Sequence, residues 1–329
     1  MSHKTDWFRD AKWGVFMHYH SGEPELACKD AKEWNKLINN FDVQRLAQQL
    51  IEIEAGYFFI TLGQNSGFYL SPNSTYNEIV ERKPSHCSQR DIVAELIEAL
   101  APSGVALMVY LPSHAPANDL LAAEKLKCTP GWDASKWQLK PGTYVVQPDV
   151  DKKLSEFQRN WEAIIREWSL RWGSGVKGWW FDGCYHSDTM YRDKTEPNFK
   201  SFAAATQAGN PKSIAAFNSG IKLPVVSTTK YEDYTAGEVT NHLPVSSDVS
   251  WERPIERFVD GAQYHILTYL GSSWGKDDIR FVDELVIGYT KNINSRDGVI
   301  TWDIGVKKDG LIAPNTFRQL KALKKATRL

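Results

Sequence analysis

The side chains of this chain best placed for chemistry are carboxylates and imidazoles that close apolar runs. Asp182 ends the run Trp179-Trp180-Phe181 and is followed by Gly183, a residue that permits close backbone approach. A carboxylate at the dry end of such a run is costly unless paired, so a compensating partner is expected. Read by position alone, Asp182 would serve equally well as a cap or turn residue. His18-Tyr19-His20 sets two imidazoles on one side of a strand, a spacing used by metal ligands. A metal-dependent hydrolase built on His18 and His20 would have to draft His114, His186 and Asp303, and no spacing supports them. Other polar groups that close apolar runs are Gln64 and Asn65, Ser113 and His114, Cys184 and His186, and Asn218. A weakly marked region further on supplies Glu232, Asp233, Glu238 and Glu252.

The elements that must position these groups follow from the same runs. Strands are expected at 13–19, 57–63, 106–111, 178–182, 214–218, 266–270 and 299–304, with a sixth somewhere in 223–252. Asp42 caps a helix with Leu46, Leu50 and Ile53 on one face, ended by Gly56. Ile92, Leu96 and Leu100 mark a second helix, stopped near Pro102. Leu154, Phe157, Trp161, Ile164 and Trp168 mark a third, and Phe317, Leu320 and Leu323 the last. Residues 112 to 150 read as a long loop rich in Trp, Pro and Gly. Strands that are apolar throughout imply a parallel sheet covered on its outer face. Eight such units without a Gly-rich dinucleotide loop predict an α/β protein of the (β/α)8 TIM-barrel type, a single domain over 1–329. Barrel chemistry sits at the C-terminal strand ends, which is why those residues are singled out.

Composition narrows the partners. The 329 residues carry a formal net charge of −1, and the basic residues are dispersed. Neither nucleic acid nor a membrane surface is therefore expected as the main partner. Thirteen Trp, 13 Tyr and 14 Phe offer faces for stacking on sugar rings, although most are expected to fill the core. The four cysteines show no CxxC spacing, and Met1 to Asp6 leads into no apolar signal core. Both fit a reduced, cytoplasmic protein, and no run reaches the ~18 apolar residues of a membrane span.

Six segments, in order, resemble the catalytic domain of the α-L-fucosidases, glycoside hydrolase family 29. Trp7 through Tyr19 is similar to that family's opening segment, and Glu33-Trp34 to its Glu-Trp pair. Trp180-Phe181-Asp182-Gly183 resembles its nucleophile motif, and Asp233-Tyr234-Thr235-Ala236-Gly237-Glu238 its Asp-Tyr-x-Thr-Pro-Glu segment. Ser273-Trp274-Gly275 resembles its Ser-Trp-Gly, and Gly298 through Gly310 its Gly-Asn-Leu-Leu-Leu-Asn-Ile-Gly-Pro-x-x-Asp-Gly stretch. The β-sandwich that often follows the barrel in this family is not expected here.

The resemblance implies a retaining, exo-acting glycosidase that releases a terminal fucose or related sugar from an oligosaccharide or glycoconjugate, without a cofactor. Asp182 would be the nucleophile and Glu238 the acid/base, with Glu252 of Trp251-Glu252 as its rival. His18 would donate to the sugar, while Trp34, Trp180 and Trp274 would line the pocket. His114 joins them from the end of the third strand. Where the family carries Lys-His-His-Asp-Gly-Phe, this chain has Gly63-Gln64-Asn65-Ser66-Gly67-Phe68, so Gln64 and Asn65 would read hydroxyls without carrying charge. The family's Arg after the fifth strand is replaced by Asn218-Ser219-Gly220-Ile221. These changes point to a sugar other than plain fucose, or to a modified or branched fucoside. A barrel that binds sugar without cleaving it is the remaining alternative.

Overall fold

The structure, a computed structural model, describes residues 3–128, 153–184, 190–245 and 256–327. The first half runs α1 (Asp6–Ala11), β1 (Trp13–Met17), α2 (Ala31–Asn39), α3 (Val43–Glu52), β2 (Tyr57–Thr61), α4 (Ser74–Val80), α5 (Ile92–Leu100), β3 (Ala106–Pro112) and α6 (Leu120–Lys125). The second half runs α7 (Ser155–Trp172), β4 (Val176–Asp182), α8 (Phe199–Thr206), β5 (Ile214–Phe217), the short hairpin β6 (Phe258–Val259) and β7 (Ala262–Gln263), β8 (His265–Tyr269), α9 (Asp283–Asn294), β9 (Val299–Ile304) and α10 (Pro314–Thr327).

Among the described residues seven strands form one curled parallel sheet, in the order β5-β4-β3-β2-β1-β9-β8. The first strand lies beside the last, with Trp13 opposite Ile300 and Met17 opposite Ile304. Segment 233–239 runs between the two edge strands. Asp233 N donates to Ala215 O of β5 (2.8 Å), while Thr235 N and Val239 N donate to Gln263 O and Leu267 O on the β8 side. Single parallel bridges, Tyr234 with Gln263 and Glu238 with Leu267, take the place of a continuous ladder.

Side chains alternate across each strand, and the alternation sorts the apolar residues into two clusters. Phe16, Tyr57, Phe59, Met108, Tyr110, Trp180, Ala216, Leu267 and Val299 point to the inside of the curl. Their neighbours Val15, Phe58, Val109, Trp179, Phe181, Ile266 and Trp302 face outward, against the helices. The helices begin where short acceptors satisfy their first amides. Asp30, Asp42 and Asp91 accept from Glu33, Arg45 and Ala94 N, and Asn198 forms a capping box with Ser201.

Three expectations change. The first strand stops at Met17, so His18 and His20 lie on the connection after it rather than on one face of a strand. Helix α3 ends with Glu54 rather than Gly56 in the left-handed region (φ 54°). The long loop expected at 112–150 holds α6, and α2 stands where no helix was expected, while residues 129–152 lie outside the described ones. No helix among the described residues is long and apolar enough to cross a membrane.

Candidate active site

The inner-facing alternation, carried past the end of each strand, delivers the polar residues of one cleft. Trp180 faces inward on β4, and Asp182, two residues on, does the same. Phe16 leads to His18, Ala216 to Asn218, and Val299 through Thr301 to Asp303. The resulting cleft holds about 220 Å³ and is floored by Trp180, whose ring stacks on Tyr110 at 5.4 Å. The Trp180 indole N–H donates to Ala236 O at 3.0 Å, fixing that ring.

Among the described residues, donors from three directions hold Asp182. Tyr110 Oη donates to Oδ2 at 2.6 Å, and Gly183 N and Asn218 Nδ2 donate to Oδ1 at 2.8 and 3.0 Å. Gly183 bends the chain just after it with φ +75°, and a side chain there would strike the His114 ring. Glu238 arrives from the irregular segment 233–239. Gly237, before it, has φ +64° and lies so close to β8 that a Cβ would sit 1.8 Å from His265 O. Only glycine lets this backbone press against β8 and aim Glu238 into the cleft.

Asn218 joins the two acids. The same Nδ2 that donates to Asp182 also donates to Glu238 Oε2 at 2.6 Å. The two carboxyl oxygens are therefore no further apart than bonds of 3.0 and 2.6 Å laid end to end. Burial, and then the nearby Asp182 charge, push Glu238 up to about 7, against the Asn218 bond and His18, which pull the other way.

The opposite wall is imidazole and indole. His18 Nδ1 is 2.6 Å from Asp303 Oδ2, so its Nε2 edge is left toward the cleft. Burial lowers the basicity of His18, but the Asp303 charge and hydrogen bond outweigh it and hold the imidazole above its usual value. His20 accepts from Gly22 N through Nδ1 (3.0 Å), and burial, with His18 beside it, pulls it down to about 3. A neutral His20 with Nδ1 as acceptor presents Nε2–H toward Glu23, 3.8 Å away. The Trp274 ring stands 5.4 Å from His18 and 4.9 Å from Tyr269, completing the wall.

The cleft thus gathers Asp182, Glu238, His18, Gln64, Trp180 and Trp274 from the residues expected in sequence. Gln64, however, spends its amide within the protein. Its Nε2 donates to Tyr110 Oη and its Oε1 accepts from Asn65 N. Three expected residues stand elsewhere. Trp34 is fully buried against Phe68 and Tyr19, with its N–H donated to Tyr69 O, so it fills core rather than lining the cleft. Asn65 does not line it either; its backbone accepts from Asn118 N. His114 is buried beside Ala115 O (2.7 Å), where burial lowers its basicity, and it packs under the Gly183 turn. Glu252 and His186 lie outside the described residues.

Sequence reasoning passed over Tyr110, named Asn218 as a strand end standing where the family has Arg, and named Asp303 as a candidate for a metal site. The available signal was parity: Tyr110 sits two residues after the inward Met108 and pairs in register with Trp180. As for a metal, no group of three or more His, Cys, Asp or Glu arranged so that it could hold an ion is found among the described residues. His18 and His20 each have one ring nitrogen engaged as above.

The fold has many solved relatives. An endo-fucoidan hydrolase of glycoside hydrolase family 107 superposes with a TM-score of 0.69 at 15% identity, covering 98% of this chain. This chain spans about half, 53%, of that protein. An α-L-fucosidase of family 29 from Bacteroides thetaiotaomicron gives 0.65 at 18% identity over 100% of this chain and 74% of its own. The α-L-fucosidase AlfC from Lactobacillus casei, solved with α-L-fucose product, gives 0.64 at 16% identity over 99% of both. No curated protein matches in sequence. The family model described as alpha-L-fucosidase matches residues 28–326, nearly the whole length, and the chain belongs to the α-L-fucosidase family.

Proposed function

We propose that the protein is a retaining, exo-acting glycoside hydrolase that removes a terminal fucose or related sugar from an oligosaccharide or glycoconjugate. The observation that carries this is the single Asn218 amide donating to both Asp182 and Glu238. Oxygens bridged within the sum of 3.0 and 2.6 Å support the ~5–5.5 Å spacing of a retaining pair over the ~6.5–9.5 Å of an inverting one. The proposal includes a (β/α)8 barrel in which segment 233–239 serves as an irregular sixth strand, delivering Glu238 opposite Asp182.

In the first step an Asp182 oxygen attacks the anomeric carbon as the bond to the leaving oxygen breaks. Glu238 gives its proton to that oxygen, leaving a glycosyl ester and a Glu238 carboxylate. In the second step the carboxylate takes a proton from water, the water oxygen bonds to the anomeric carbon, and the ester releases Asp182. An acid/base near 7 suits both halves, because it both gives and takes a proton close to neutrality. The donors from Tyr110, Gly183 and Asn218 orient Asp182 for attack, and Trp180 and Trp274 offer faces to the sugar ring. A volume of about 220 Å³, below the ~300–1,000 Å³ of drug-sized pockets, supports a single terminal sugar unit.

Asp182→Ala should fold normally and lose activity by about 10³-fold or more. Azide should restore turnover with a glycosyl azide of inverted configuration, read by NMR of the product. Near-wild-type turnover by the variant would end the proposal. A panel of aryl glycosides and oligosaccharides, followed by NMR of the first-formed anomer, tests sugar and stereochemistry together.

A further inference from the structure

Asp303 is a deeply buried carboxylate beside the cleft that the reaction itself does not use. It is 1% exposed, and both of its oxygens are engaged. Oδ2 meets His18 Nδ1 at 2.6 Å, and Oδ1 accepts from Gly275 N, also at 2.6 Å. Gly275 follows Trp274, whose ring packs against His18. One carboxylate on β9 therefore fixes a side chain after β1 and a backbone turn after β8, and these two make one wall of the cleft.

We propose that Asp303 is a positioning residue for sugar recognition, holding His18 Nε2 and the Trp274 ring together as one preformed wall that reads a hydroxyl and an apolar sugar face. This rests on the reading of the cleft as a sugar site. An Asn in its place would keep the shape but lose the charge. The imidazole would then lose the carboxylate that favours its protonated form, and a charged donor to a hydroxyl binds more strongly than a neutral one. The groups facing His18 are Asp303 on β9, Asp182 on β4, Glu23 and His20 on the loop after β1, Glu238 on segment 233–239, and Tyr110 on β3. Glu23 is itself paired with Lys276 at 3.2 Å, and Asp182 and Glu238 with Asn218, which leaves Asp303 as the anion bonded to the ring.

The experiment compares wild type, Asp303→Asn, His18→Ala and the double variant. Two readouts are used: NMR titration of the His18 ring, and steady-state kinetics on an aryl glycoside. Asp303→Asn should lower the His18 titration midpoint by about one pH unit or more. It should raise KM about ten- to a hundredfold with kcat changed less than about threefold, and the double variant should be no worse than His18→Ala alone. An unchanged His18 midpoint, or additive losses in the double variant, would overturn the proposal. The titration needs no turnover, so it stands apart from failure of the glycosidase reading, which would appear as inactivity of the wild type.

Discussion

Glu238 carries a conflict between its chemistry and its surroundings. Burial and the neighbouring Asp182 make its charged form expensive, which keeps a proton available near neutrality. The acid must be protonated to serve the leaving group, so kcat should fall as pH rises through about 7. Substrates with activated leaving groups should be spared that loss, and Glu238→Ala should likewise retain activity on them alone. If Glu252→Ala shows that pattern instead, the assignment fails. The same shift bears on folding. Glu238 has a raised pKa in the native protein, so the native state holds its proton more tightly than the unfolded chain does. Stability from this group is complete at acid pH and declines as pH rises from the ordinary glutamate range to about 7. Glu238→Gln should therefore raise Tm by a few degrees at pH 8, with little change at pH 4, while abolishing hydrolysis of natural glycosides. Calorimetry across that range decides it; a lower Tm at pH 8 would mean that the carboxylate is better solvated than its burial implies.

At the scale of elements, the irregular segment 233–239 matters most. It has no continuous ladder, yet it sets the position of the acid through a glycine in the left-handed region pressed on β8. Gly237→Ala should lower stability by about 2 kcal/mol or more and cut activity at least tenfold, even below the new Tm. Thermal melts and kinetics at low temperature separate the two effects, and an unaffected kcat would show that Glu238 does not depend on this turn. The segment also marks where reading the sequence stops. The strands of the parallel sheet were legible, unlike the β6–β7 hairpin, because parallel strands covered on both faces are apolar runs, and Tyr57–Thr61 or Val299–Ile304 can be little else. Residues 233–239 alternate acid, aromatic, small and glycine, because single bridges rather than a ladder hold them. Helix α2 was passed over for a related reason, since three buried residues, Ala31, Trp34 and Ile38, are a thin stripe among polar ones. Trp34 marks the limit for side chains. An indole that fills core and one that lines a pocket look alike in sequence, and only the bond to Tyr69 O settles which it is.

At the scale of the whole molecule, the first and last strands of the sheet in chain order are neighbours. β1 pairs with β9, and α10 packs Leu320 and Leu323, both fully buried, into the outer core. Each such leucine is worth about 1.5–3 kcal/mol, a large share of a net stability of about 5–15 kcal/mol. Ending the chain before Pro314 should abolish cooperative thermal unfolding by circular dichroism and leave aggregating protein. A sharp transition in that variant would show that the sheet does not depend on α10.

The shared parity of the inner strand positions constrains how such a cleft can change. Core rings and reacting groups occupy one alternating series on each strand, so a lost codon inside β4 would turn Asp182 toward the helices and bring Trp179 into the bore. Divergence among relatives can then proceed by exchanging residues at strand tips and by lengthening the connections beyond them. The strands themselves must keep count.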